Sequence, residues 1–307
     1  MISRNRTLIE GFRLIGVSDV PELQVVISLL ILLIYLISLV GNLTLLLLVG
    51  LDVHLHTPMY FFLSNLSVID ISSSTTALHK IFAIALTQNN MVSTSACLTQ
   101  LYIFGTLTIN EISILATMSF DRYVAICRPL HYHTVMSRRL CVLLAVLSWP
   151  FAFLELLPTI VLVSRFTCYI SKEIDHYFCD LLPLRDITCS DTSLLDLYIE
   201  IFGNIFVFTL LFLTIIPYVF IILSILRISS SVGRHKTFYT CSSHIMVVML
   251  FYSSLILQYI VAILGKNIGS NKMLSLFNTA IVPMMNPLIY SLKNKDVKSA
   301  LQRKLKW

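Results

Sequence analysis

The sequence predicts an all-α membrane protein: a bundle of seven transmembrane helices followed by a short amphipathic eighth helix. Three observations carry that expectation. Of 307 residues, 57% are hydrophobic and 12% charged, where a soluble chain carries roughly 25% charged residues. The mean hydropathy is +0.85. Charge-free runs also reach the ~20 residues that a helix needs to cross a hydrocarbon core. The apolar content excludes disorder, and 9 Gly and 9 Pro exclude collagen-like or low-complexity classes. The net charge of +6 forms no continuous basic stripe, so no nucleic-acid partner is expected.

The elements follow in order along a single domain, 1–307. A polar N-terminus occupies 1–23. Four runs carry no charge: Leu23 to Leu51, Ile201 to Leu226, Thr237 to Gly265 and Met273 to Leu292. Three further apolar blocks hold isolated ionisable groups: Asp70 and Lys80, then Glu111, Asp121 and Arg122, then Glu155. The spans are placed at about 24–51, 57–84, 95–127, 139–163, 197–227, 237–263 and 272–292. A transmembrane barrel would show ~10-residue alternating segments, unlike these long aliphatic runs. The tail, 293–307, sets Val297, Ala300, Leu301 and Leu305 at helical spacing among basic residues, which reads as an amphipathic helix lying on membrane lipid.

Lys and Arg near the span ends orient the chain. With the N-terminus outside, thirteen fall inside and eight outside, and Lys80 lies within a span. An extracellular N-terminus at the cell membrane is therefore expected. The cysteines agree: Cys127, Cys141 and Cys241 fall on the reducing side, and Cys97, Cys168, Cys179 and Cys189 on the oxidising side. Those four residues leave three pairings open. The sequon at Asn5 is an extracellular glycosylation candidate. The loop at about 164–196 is long enough to be functional.

Six motifs occur in order. Gly41-Asn42 lies in span one, and Leu55-His56-Thr57-Pro58-Met59-Tyr60 enters span two. Leu66-Ser67-Val68-Ile69-Asp70 lies within span two, and Met118 through Asp121-Arg122-Tyr123 to Cys127 closes span three. Lys236 through Cys241 to His244 opens span six, and Pro283 through Asn286-Pro287 to Tyr290 closes span seven. Over essentially its whole length the chain resembles vertebrate olfactory receptors, within the rhodopsin-like G-protein-coupled receptors. Ser119-Phe120 stands where the family usually has Ala-Tyr, and Tyr239 where it has Ser.

The resemblance implies an odorant receptor: a small organic ligand in the outer half of the bundle, and a heterotrimeric G protein of the stimulatory, olfactory type inside. It implies that Asp121 holds Arg122 at rest, within Asp121-Arg122-Tyr123. It also implies that Tyr218 and Tyr290 swing toward Arg122 on activation, with Asn286-Pro287 breaking span seven. From the residues alone, an ionisable pair in a span is a functional candidate. Asn42, Asp70 and Glu111, with Asn286, form the expected polar core. Two buried carboxylates need a cation or a proton, so sodium near Asp70 and Glu111 is one expectation and a shared proton the other. By resemblance Cys97 pairs with Cys179, which leaves Cys168 for Cys189.

The expected ligand site takes Leu101, Phe104, Gly105, Thr108 and Ile109 from span three. Phe202 and Phe206 come from span five, and Leu255, Ile256 and Tyr259 from span six. Phe104 stands where amine receptors of the wider class carry an aspartate, so a largely apolar ligand is expected, oriented by Tyr259 or Thr108. Glu155 and Glu200 have no direction from sequence. No enzyme is expected, because no nucleophile or metal trio accompanies the carboxylates. The pairs His54/His56 and His131/His133 are read as structural rather than as metal ligands, and an extracellular metal at His176 would need Cys179 reduced. A transporter or channel is the alternative, but it would need a discontinuous span or a line of internal charges.

Overall fold

The structure, a computed structural model, describes residues 11–18, 20–263 and 268–305. Asn5 and the side chain of Tyr259 lie outside the described residues. The bundle consists of α1 (Pro21–Leu51), α2 (Pro58–Thr87), α3 (Thr94–Cys127), α4 (Arg138–Val163) and α5 (Ser193–Leu226). It continues with α6 (Ser231–Ile263) and α7, built end to end from Ile268–Leu276, a π-turn at Phe277–Ile281 and Val282–Lys293. A last helix, α8 (Lys295–Leu305), follows.

Local chemistry sets the helix ends. Pro21 and Pro58 stand in the first turn of α1 and α2, where a missing N–H costs nothing. Ser93 and Ser137 cap α3 and α4 by accepting from Ala96 N and Leu140 N. Gln88 stops α2 with φ +55°. Among the described residues, six stretches are long and apolar enough to cross a membrane, one each from α1, α3, α4, α5, α6 and α7. The seventh crossing, α2, is as long but carries a polar run, Ser72 to Thr76, together with Asp70, His79 and Lys80.

Close approaches position the bundle. Gly41 brings α1 against α7, because a Cβ there would sit 3.0 Å from Pro287 Cγ. Asn42 then reaches the same helix, donating through Nδ2 to Pro283 O at 3.0 Å. The main core, including Leu63, Leu66, Ile114, Leu115, Ile221, Val247 and Tyr290, fills the half nearer the C-terminal face.

A lid covers the N-terminal face. The first described residues were read as a polar tail, yet β1 (Gly11–Leu14) is the middle strand of a small sheet. It pairs antiparallel with β2 (Met91–Ser93) and parallel with β3 (Glu173–Ile174). Phe12 and Leu14 alternate inward, fully buried, against Leu101, Ile174, Cys179, Leu184 and Leu195. Disulfides join Cys97 to Cys179 and Cys168 to Cys189, with Cα atoms 5.3 and 5.1 Å apart. At the opposite face α8 docks on the turn after α1: Arg303 Nε and Nη2 donate to Asp52 Oδ2 at 3.1 and 2.6 Å. Val297 and Ala300 are buried beneath α8, whereas Leu301 faces outward.

Candidate functional site

Two sites lie at opposite ends of α3. Near the C-terminal face a cavity of about 800 Å³ is lined by Arg122, Tyr60, Tyr239, His244, Tyr290 and Asp296 among others. Arg122 is largely buried and bonds through Nε to Asp121 Oδ2 at 2.9 Å, with Nη2 on the same oxygen. The other oxygen of Asp121 accepts from Tyr132 OH at 2.8 Å. Tyr132 lies on the loop after α3, a partner that no spacing rule marks. Partial burial of Tyr132, reinforced by the carboxylate of Asp121, pushes that phenol upward from its ordinary value.

The tyrosines around the cavity differ. Tyr218 OH bonds His244 Nδ1, which ties α5 to α6. Tyr290 is fully buried and its hydroxyl has no partner among the described residues. Tyr123, by contrast, packs toward α5 with its ring 5.8 Å from Phe220, away from Arg122. Thr214 and Tyr252 add a second α5–α6 bond at 3.0 Å.

Between the two ends lies the polar core. Asn286 Nδ2 lies 3.1 and 3.0 Å from the two oxygens of Asp70, so α7 is tied back to α2; Pro287, expected to break the span, lies inside the continuous helical segment Val282–Lys293. Glu111 is buried with Oε1 unpartnered among the described residues, as are both side-chain polar atoms of Asn110. Among the described residues no group of three or more His, Cys, Asp or Glu gathers as a metal site. His54 Nδ1 instead bonds Asp52 at 2.9 Å, and His56 Nε2 bonds Val49 O at 3.0 Å.

Toward the lid the expected ligand residues separate. Phe104 stands edge-on to Phe178 of the long loop, with centroids 4.9 Å apart. Leu101 lies under the lid cluster, and Ile109 and Leu255 are half-buried. Four positions need correction. A Cβ on Gly105 would stand 2.5 Å from Leu156 Cδ2, so Gly105 serves α3–α4 packing. Phe202 is 59% exposed and Ile256 47% exposed. Ile256 continues the outward row Met249, Ser253, Ile260 at helical spacing. Both therefore face away from the bundle. Phe206 leans on Phe151 of α4, itself half-exposed. Thr108 donates to Phe104 O at 3.1 Å, so it can offer a ligand only its oxygen lone pairs.

Sequence reasoning missed the lid's aromatic wall. His176, Tyr177 and Phe178 are buried in mutual ring contact, His176 stacked on Tyr177 and edge-on to Phe178, and Tyr177 OH meets Thr279 Oγ1 of α7 at 2.9 Å. Asp175 pairs with Lys272, latching the loop to α7. A polar string then runs from α6 to α7: Gln258 to Ser275 at 2.6 Å, Asn278 to Gln258 at 3.0 Å, and Ser254 to Asn278. Only His176 carried a signal in sequence, its place beside Cys179. Glu155 lies on the inward row of α4, while Glu200 is exposed.

Comparisons with known proteins agree with this arrangement. The family model described as olfactory receptor matches residues 31–306. Human olfactory receptor 2AP1 is 41% identical over 303 residues, covering 99% of this chain and 98% of its own. Human olfactory receptor 6C1 is 43% identical over 301 residues, covering 97% and 95%. Mouse olfactory receptor 8U3 is 40% identical over 305 residues, covering 99% and 96%. The crystal structure of squid rhodopsin superposes with a TM-score of 0.74 at 19% identity, over 94% of this chain and 87% of that one. With a family match across nine-tenths of its length and nearly full-length relatives of 40% identity or more, this multi-pass membrane protein belongs to the olfactory receptor family.

Proposed function

We propose that the chain is an odorant receptor whose N-terminus and lid are extracellular. It takes a small, largely apolar ligand beneath the lid and couples through the Arg122 cavity to a heterotrimeric G protein of the stimulatory type. One observation carries the reading: a buried cation, Arg122, held by Asp121, lines a cavity of about 800 Å³ at the face opposite a disulfide-tied aromatic lid. The cavity is wide enough for a partner's helix end, and Arg122 is the group able to meet its carbonyls. Orientation rests on the distribution of Lys and Arg and on both disulfides lying at the N-terminal face.

The ligand wall on this reading is Phe104, Ile109, Phe178, Tyr177 and Leu255, with the Gln258–Asn278 string as its polar side. Two variants test it in a reporter cell screened with an odorant panel. Arg122→Ala should abolish ligand-dependent cyclic AMP at equal surface expression. Phe104→Ala should raise the EC50 by roughly tenfold, about 1.4 kcal/mol of lost contact, while keeping the maximal response. Normal output from Arg122→Ala refutes the coupling, and unchanged potency in Phe104→Ala refutes the pocket.

The polar core carries a smaller proposal. Asn286 already serves Asp70, so the unpartnered oxygen of Glu111 is where a sodium ion or a shared proton would be met. Sodium-dependent thermal stabilisation that disappears in Glu111→Gln supports the ion. A sodium-insensitive wild type supports the proton.

A further inference from the structure

The lipid-facing side of α2 is expected to be aliphatic, and its outward row includes Val68 and Leu86, 42% and 85% exposed. Yet the same row, at helical spacing, holds Ser72, Thr75 and His79. Where α2 meets α3, this row borders a groove of about 450 Å³ lined by Thr76, His79, Ser95, Thr99, Gln100 and Ile103, with Ala96 at its edge. Polar groups on a lipid-facing wall are costly unless they are satisfied.

Two of them are not satisfied. His79 Nδ1 lies 2.9 Å from Thr76 O, a carbonyl that can only accept, so Nδ1 carries the hydrogen. In the neutral ring Nε2 is then a bare acceptor. Across the groove the exposed Thr99 hydroxyl has no partner among the described residues. Ser72, Thr75 and Thr76 differ, since each donates to its own helix at 2.6 to 2.7 Å. The floor is fixed: Gln100 donates to Thr76 O at 2.7 Å and accepts from Cys179 N at 3.0 Å, which joins the groove to the lid.

Depth narrows the occupant. His79 lies eight residues inside the end of α2, about 12 Å, and Thr99 five residues inside the start of α3, about 8 Å. Counted from helix ends set at the headgroup surface, with a headgroup layer of roughly 5–7 Å per leaflet, both fall just within the hydrocarbon boundary. No Lys, Arg, Asp or Glu lines the groove, so a phosphate or zwitterionic headgroup has no counter-charge there. Lys80, the nearest cation in sequence, is committed to Met91 O at 3.1 Å. The volume far exceeds the ~30 Å³ of one water.

We propose that this groove binds a sterol of the adjacent leaflet. Its single hydroxyl donates to His79 Nε2 and accepts from Thr99, and its ring body runs deeper into the leaflet over Ile103. The test uses the full-length receptor in phospholipid nanodiscs with a photoreactive sterol bearing a 3β-hydroxyl, followed by peptide mapping. Label is expected on residues 76–103, displaced by unlabelled cholesterol but at least fivefold less by its 3-methoxy ether, which cannot donate. His79→Leu with Thr99→Val should cut labelling at least fivefold, and His79→Gln, which keeps an acceptor, should restore most of it. Equal competition by the methoxy ether overturns the proposal even if the double variant fails to fold. So does equal labelling of the groove by a photoreactive phospholipid, or sterol label spread evenly over the lipid-facing helices.

Discussion

Arg122 and His176 show opposite solutions to burying an ionisable side chain. Arg122 keeps its charge because Asp121 supplies a charge-assisted bond and Tyr132 steadies that carboxylate. His176 has no carboxylate bonded to its ring. Burial, reinforced by the Lys272 ammonium, pushes its imidazole down to about 3. Its folded value lies below the ordinary one, so between roughly pH 6.5 and 3 the open loop binds a proton that the closed loop refuses. Lid stability therefore rises with pH through that window and falls on acidification. Going from pH 7 to pH 5 should weaken the lid by about 2 kcal/mol, seen as lower amide protection factors over residues 173–180 after correction for the slower intrinsic exchange in acid. His176→Phe should flatten the response, and the same acid sensitivity in that variant would place its origin elsewhere.

Among the elements, the helices were legible in sequence because burial in lipid demands long apolar runs. The lid sheet was not. Its strands are two to four residues long, too short for an alternating pattern to stand out, and they pair across separations of about 80 and 160 residues. Helix contacts were half-legible. Gly41 stood out in a motif, but only the packing shows Pro287 Cγ and Cβ at 3.0 and 3.1 Å from where its Cβ would lie. The proline ring cannot rotate away. Gly41→Ala should therefore part α1 from α7 and cost about 1–3 kcal/mol, read as a lower Tm of the detergent-solubilised receptor. An unchanged Tm would mean that the interface has slack. Phe202 and Ile256 teach the same lesson in reverse: an apolar residue on a membrane helix suits lipid as well as a pocket, so hydropathy alone did not orient them.

For the whole molecule, the two disulfides constrain loops of very different length, separated by 82 and 21 residues. In a chain-entropy description the first closure is worth about 4.5 kcal/mol and the second about 3. Replacing Cys97 and Cys179 by Ser should lower surface expression more than replacing Cys168 and Cys189. The first bond anchors the lid to α3 itself, where Cys97 and Cys179 are both fully buried. The second closes only a subloop of the lid. Equal losses from the two double variants would show that the subloop, not the anchor, governs folding.

By itself the sequence determined the bundle of long apolar helices and roughly where each one runs, although α6 begins at Ser231, six residues before the start expected from its charge-free run. Those depend on composition and spacing along one chain direction, and a bilayer admits few alternatives. Tertiary structure alone decided which side of each helix faces lipid, ligand or neighbour. It set Phe178 on Phe104, turned Gly105 to Leu156, gave Asp121 its second partner in Tyr132, and brought His79 and Thr99 to one groove between α2 and α3. The physical reason is the solvent. In water a polar residue marks the outside of a helix, but in lipid the outside and the core are equally apolar, so only packing distinguishes them.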